Sequence, residues 1–261
     1  METGQMIFAG IDFPPIAELL NWKPIAFGGT ALMFNKIAVL TLLSAAITLA
    51  LFFFAGRRQN LVPRGIQNLM ESAIDFITNS VVIDVMGQEG LAWVPWLTGL
   101  FFFILFNNLF EVIPFIQMPA TARTSVTIPL ALIVYVTFIV VGIKKQGFGG
   151  YFKSALVPSG VPVALLILLV PIELLSTFIV RPFALAVRLF GNMLAGHLLL
   201  VTFAVISEAL FVRSIGLVVL PLPAATLVVL TGYEIFVGFL QAFIFTILTA
   251  VYLGESAGGG H

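Results

Sequence analysis

The chain has 261 residues, of which 60% are hydrophobic and only 9% charged, and it carries 26 phenylalanines. That composition lies outside the range of soluble globular domains and marks a membrane protein with several spans. Twelve Lys and Arg balance twelve Asp and Glu, cysteine is absent and there are two histidines. This excludes a basic nucleic-acid surface, a disulfide or thiolate framework and a histidine metal cluster, so neither a cofactor nor a metal is expected.

The opening METGQMIFAGIDFPP lacks the basic flank and short apolar core of a cleaved signal, so residues 1–32 are read as an outer N-terminal segment. A helix needs about 20 apolar residues to cross ~30 Å of hydrocarbon. The first stretch to meet this is 33–55, followed by GRRQNLVPR, whose Arg57, Arg58 and Arg64 put that end in the cytoplasm. In 64–85, Ile66, Leu69, Ala73, Phe76, Ile77 and Val81 fall on one helical face opposite Glu71, Asp75 and Asn79, which predicts an amphipathic surface helix. Its polar face is acidic where membrane-surface helices are usually basic, so docking on a partner subunit stays open beside a place on lipid.

The second and third spans, Trp93 to Ile116 and Thr124 to Ile143, occupy 93–143. Trp93 and Trp96 stand as interfacial anchors, and Lys144, Lys145 and Lys153 follow the third span. With the basic loops inside, the N-terminus lies outside and the C-terminus in the cytoplasm. Two long apolar segments remain, Val161 to Val212 and Leu217 to Leu253. As continuous helices they would reach ~78 Å and ~55 Å, well past the hydrocarbon thickness. Either they form a strongly inclined hairpin over 161–253, or Pro171 and Pro182 break the first of them. No internal repeat of the kind built into secondary transporters is found. The fold expected is an all-α polytopic domain spanning 1–261, with about five membrane helices, one amphipathic surface helix, two long tilted final helices and a flexible tail at 254–261.

Charge at membrane depth costs at least ~2.5–3.5 kcal/mol per group, so each intramembrane polar residue is a candidate for function. The candidates are Asn107, Asn108, Glu111, Glu173, Arg181, Arg188, Asn192, His197, Glu208, Glu234 and Gln241. Arg181, Arg188 and Asn192 share a helical stripe at i, i+7, i+11, while His197 faces roughly the opposite way. Glu234 and Gln241 share a second stripe, and an antiparallel hairpin would bring His197 to Glu234, an imidazole–carboxylate pair of the type that relays protons. Plainer readings stand beside these. Arg188 can form an internal ion pair with Glu173 or Glu208, His197 can be a packing residue, and Asn192 and Gln241 can serve as interhelical hydrogen bonds.

RPFALAVRLFGNMLAGH followed by LQAFIFTILTAVYL closely resembles the signature of the membrane-embedded a-subunit family of F-type ATP synthases. The resemblance extends to FNNLFEVIPF, to the five-span layout with its amphipathic helix and to the length, and so covers nearly the whole chain. It implies a non-catalytic stator subunit of the bacterial inner membrane. Two aqueous half-channels would deliver protons to and from the c-ring carboxylates, coupling proton flow to rotation and ATP synthesis. By the same resemblance Arg188 faces the c-ring carboxylate, and Asn192, His197, Glu234 and Gln241 line the outer half-channel. Glu111, Asn107 and Asn108 form its mouth, Glu173 lies near the cytoplasmic half-channel, and Arg181 belongs to the same set. Some bacterial members have glutamate first and histidine second where this chain has His197 and Glu234. The partners implied are the c-ring, the peripheral-stalk b subunits, the rest of the synthase and membrane lipid, with no nucleic acid. A stand-alone ion channel or secondary transporter is the alternative that composition and charge alone would favour.

Overall fold

The computed structural model describes residues 35–57, 62–113, 116–157, 161–211 and 220–258, all of whose regular structure is helical. The expected outer N-terminal segment and the turn near Arg213 lie outside the described residues. Among the described residues, five stretches are long and apolar enough to cross a membrane.

Helix α1 is Lys36–Arg57. It is capped by Asn35, whose Oδ1 accepts the Ala38 N–H at 3.1 Å. Only one seam of α1 is buried, at Ile37, Leu40, Ser44 and Thr48, and the opposite face is left for lipid. Helix α2, Ile66–Ile77, continues through a π-helical turn, Thr78–Ile83, to Asp84–Met86. A 3-10 turn, Gly87–Trp93, leads to α3, Val94–Leu109. Helix α4, Thr124–Gln146, ends at Gly147, whose φ of 74° and ψ of 163° form a backbone conformation open to glycine and costly for other residues. The short α5, Phe148–Leu156, follows directly.

Helix α6, Val163–Leu175, passes through a second π-turn, Ser176–Val180, into α7, Arg181–Phe211. Helix α8, Pro221–Ser256, returns antiparallel along it. Neither proline breaks the first long segment. Pro171 lies inside α6, and Pro182 is taken up where the π-turn meets α7. Rising 1.5 Å per residue, the apolar stretch from Leu165 to Phe211 is ~70 Å long and α8 ~54 Å, so neither stands upright within ~30 Å of hydrocarbon.

The core forms where α3, α7 and α4 pack on α8 and α4 packs on α7. Leu97, Ile104, Leu189, Met193, Phe245, Ala250 and Leu253 fill it. The apolar residues of α2 divide between the bundle and the outer surface. Gln67, Met70, Ile77, Val81 and Val82 are buried, while Ile66 and Leu69 point outward, about half exposed. The under-wound π-turn is what lets consecutive Val81 and Val82 both face inward. Phe76 turns aside to pack on Phe239 and Phe243 of α8.

The far end of α8 is held firmly. The helix runs on past Leu253 to Ser256, whose carbonyl accepts a bond from Gln146 Nε2 at 2.8 Å. The buried Tyr151 ring of α5 lies in the notch left by Gly142 on α4, and a Cβ there would collide with the ring. Gly142→Ala should therefore destabilise this end by about 1–3 kcal/mol. The measurement is the temperature at which the subunit dissociates from the detergent-solubilised complex, and an unchanged temperature would show that α5 does not clamp the end of α8.

Candidate functional site

The polar residues sort onto two faces of α7. Arg188 and Asn192 lie on the exposed side with Val187, Ala195 and Leu199, whereas Leu185, Leu189, Met193, Gly196 and His197 turn into the bundle. Among the described residues Arg188 makes no ion pair, so the internal pairing with Glu173 or Glu208 is not formed. Much of the apolar surface around it, from Leu165 to Val187, is also uncovered. A guanidinium keeps its charge on burial, so this open face carries a permanent cation.

Behind that face three titratable groups meet. His197 Nδ1 stands 3.5 Å from Glu111 Oε1, an ion-pair separation too long for a well-formed hydrogen bond, and both side chains are buried. Glu234 is also buried, at 4% exposure, and lies against Gly196 next to His197. Both carboxylate oxygens occupy the space that a Cβ at position 196 would take, so a larger residue there would push the carboxylate aside. His197 thus pairs with Glu111 rather than with the expected Glu234, while Glu234 stays within electrostatic reach of both. Neither Glu111 Oε1 nor Glu234 Oε2 has a hydrogen bond. A buried carboxylate in that condition is stable only by taking up a proton or meeting water or a cation. Two acids and an imidazole that each have this choice can pass protons among themselves.

The amides hold the surrounding helices. Asn108 Nδ2 donates to Gly238 O at 3.0 Å and its Oδ1 accepts from Thr121 Oγ1 at 2.6 Å, tying α3 to α8 and to the turn before α4. Asn107 Nδ2 donates to Phe103 O at 2.7 Å, which leaves its buried Oδ1 without a partner. Asn192 Nδ2 donates to Gln241 Oε1 at 2.8 Å across the α7–α8 seam, and Gln241 Nε2 is left buried and unpartnered. Arg123 precedes α4 in extended backbone, and its partial burial pushes the guanidinium below its ordinary value.

The other end of α7 has a separate polar cluster. Arg181 forms an ion pair with Glu255 and lies over the Tyr252 ring, 5.3 Å from its centroid. A cavity of about 660 Å³ is lined there by Lys153, Glu173, Thr177, Arg181 and Glu255 among others. Along the helix Arg188 lies ~10 Å from Arg181 and ~14 Å from His197. Glu255 is the residue that sequence reasoning missed. The Gly- and Ser-rich ending read as a tail, although its one carboxylate follows Tyr252 by a single helical turn, which was the available signal.

Among the described residues, no group of three or more His, Cys, Asp and Glu side chains could hold a metal ion. A helical bundle with a bare cation on an uncovered face, flanked along one helix by two separate polar clusters, defines a membrane protein that moves ions against a partner surface. Residues 38–254 match the family model described as ATP synthase A chain. The chain is 42% identical over 246 residues to the ATP synthase subunit a of Frankia alni, covering 92% of this chain and 83% of that protein. It is 39% identical over 272 residues to that of a Parafrankia species, covering 100% of this chain and 91% of the relative. With that of Rhodococcus erythropolis the identity is 40% over 245 residues, covering 93% and 86%. The chain belongs to the ATP synthase A chain family. Members are the non-catalytic, proton-conducting stator subunit of the synthase membrane sector, and this chain is one of them.

Because Glu234 occupies the hollow over Gly196, Gly196→Ala should displace the carboxylate and slow ATP-driven proton pumping in inverted vesicles by about tenfold, equivalent to about 1.4 kcal/mol of barrier. Shortening the acid with Glu234→Asp in the same chain should recover part of the rate. Undiminished pumping by Gly196→Ala would mean that the carboxylate position is not critical.

Proposed function

We propose that Arg188 is the stator cation that unloads each c-ring carboxylate, with an outer half-channel through Glu111, His197 and Glu234 and an inner one through the cavity at Glu173 and Arg181. The observation that carries this reading is the exposed guanidinium, without an ion-pair partner among the described residues, set between two polar clusters on one helix. A carboxylate carried through hydrocarbon has to be neutral, because an isolated charge there is too costly. It gives up its proton only where a cation and water are both at hand. Arg188 supplies the cation, and since it never deprotonates it does so at every passage.

The same charge repels a proton travelling directly between the two clusters. A proton that enters on one side therefore boards the ring, rides almost a full turn and leaves on the other side. In the outer cluster Glu111 and His197 receive the proton, and Glu234, held against α7 by the absence of a side chain at Gly196, passes it toward the face where Arg188 stands. Asn107 and Asn108 line the approach, and the Asn192–Gln241 bond fixes the α7–α8 seam beside Arg188. A charge moved down 100 mV supplies ~2.3 kcal/mol, so several protons serve one synthesis step in the soluble sector.

The uncovered face from α6 to α7 is the surface for the c-ring. The exposed acidic face of α2 and the free side of α1 are surfaces for the b subunits and for lipid. The basic groups Arg57, Arg64, Lys144, Lys145 and Lys153 favour a cytoplasmic position for the end of the bundle that carries Arg181 and Glu255, with the N-terminus outside. The host is a bacterial plasma membrane.

Arg188→Ala in the assembled complex should reduce ATP-driven proton pumping to background, and coupled pumping at the parental rate by this variant would overturn the assignment. In the outer cluster, a double-mutant cycle of Glu111→Gln with His197→Ala, read from pumping rates, should give a coupling of about 1–3 kcal/mol. The corresponding cycle of Glu234→Gln with His197→Ala should give a smaller value. Coupling that is absent, or larger for Glu234, would remove the Glu111–His197 pair from the path.

A further inference from the structure

The π-turn between α6 and α7 falls at a point where the sequence explains its presence. Pro182 has no N–H to offer the Phe178 carbonyl four residues back, and its ring crowds that carbonyl. The Arg181 N–H donates instead to Ser176 O, five residues back, and the turn widens over Ser176–Val180. A widened turn of this kind absorbs one extra residue without rotating the helix segments on either side of it.

That extra residue decides where Glu173 points. In an uninterrupted α-helix, eight residues advance about 800°, which would leave Glu173 about 80° around the helix from Arg181. With one residue taken up by the π-turn, the advance is about 700°, so the two side chains stand within about 20° of each other, two turns apart. Arg188 follows Arg181 by seven residues, and the three form a single stripe of carboxylate, guanidinium and guanidinium. The cavity lining agrees, since Glu173, Thr177 and Arg181 all face it together with Glu255. The neighbours Ile172 and Leu174 point away, 52% and 48% exposed, so one position either way would carry the carboxylate toward the uncovered apolar surface.

We propose that the Ser176–Val180 π-turn is a register device that carries Glu173 onto the Arg181 side of the helix, into the cavity shared with Glu255. Glu173 is thereby a positioned member of the inner path, and Glu255 holds Arg181 at the cavity wall so that this cation does not reach across and capture the Glu173 carboxylate. The proposal rests on the reading of this cavity as the inner half-channel.

The test uses the assembled synthase, and the absence of cysteine from the chain allows clean engineered pairs. The pair Glu173→Cys with Glu255→Cys is treated with a short bis-alkylating reagent in three backgrounds. These are the parent chain, a chain with Ile179 deleted and a chain with one alanine inserted after Ile179. Cross-linking is expected in the first two, because deletion turns the π-turn into α-helix and keeps the register. It should be lost in the third, where the surplus residue rotates Glu173 away. Cross-linking that survives the insertion, or is abolished by the deletion, overturns the register device.

Pumping by chains without the cysteines provides an independent readout. The insertion should lower it by about 100-fold, the lower range for a positioned proton-transfer group. On the insertion background, Glu173→Leu with Leu174→Glu should restore most of it, and the same exchange in the parent chain should abolish it. Pumping at the parental rate by that exchange in the parent chain also overturns the proposal, and this arm needs no inserted residue. Glu173→Gln separates the two claims. If it pumps normally, the inner-path reading fails, while the cross-linking pattern still decides the register.

Discussion

The cost of holding charge away from water sets the terms on which every polar group in this bundle is placed. Among the described residues, Arg188 is a guanidinium without an internal partner on an apolar face, an arrangement that is costly in hydrocarbon unless it is completed from outside the chain. Everything near Arg188 is consistent with leaving that side uncovered. Apart from the cavity at Glu173 and Arg181, the wall from α6 to the middle of α7 is largely uncovered and mainly apolar, and the inward side of α7 is packed tightly enough by Leu185, Leu189 and Met193 to hold the arginine outward. In the proposed reading a moving acid of the c-ring supplies the missing negative charge for part of each cycle and takes it away again.

The second feature of the bundle is that its two polar clusters are separate. They lie on opposite sides of Arg188 along one helix and draw on different neighbours. The outer cluster joins α7 to α8 and the end of α3, whereas the inner one joins α7 to α5 and the last turn of α8. One rigid helix fixes the spacing of all three, the Asn192–Gln241 bond ties α8 to it, and the bonds from Asn108 and Gln146 tie α8 to α3 and α4. Glycine is used where a carboxylate or a ring must come close to a backbone, at Gly196 and Gly142, which matches the general role of small residues in membrane helix packing.

Much of this was legible in the sequence, because hydropathy over 20-residue windows reports burial in lipid directly, and the five spans follow from it. The stripe of Arg181, Arg188 and Asn192 and the opposed His197 could also be placed, since they lie within one helix and depend only on its period. What failed depended on contacts between helices. The His197–Glu111 pair joins residues far apart in the chain, and its formation rests on the relative height of α3 and α7, which no periodicity encodes. The burial of Gln67 and Met70 on α2 is likewise selected by the neighbours they meet. Helix α5 and Glu255 were overlooked because glycine-rich stretches read as loops until a tyrosine is seen seated in the gap that a glycine provides.

Departures from the regular α-helix are concentrated where the chain needs a side chain turned by a fraction of a turn. A straight helix offers side chains only every 100°, and a stripe defined by function need not coincide with that lattice. Inserting one residue as a π-turn shifts the phase on one side alone, at the cost of a poorer hydrogen-bond ladder. Pro182 lowers that cost, because the ladder is already broken at Phe178. The proline beside Arg181 therefore has a use beyond bending. It anchors the point at which the phase of the helix is reset, so that α6 and α7 can each meet their own packing requirements while Glu173, Arg181 and Arg188 stay in line.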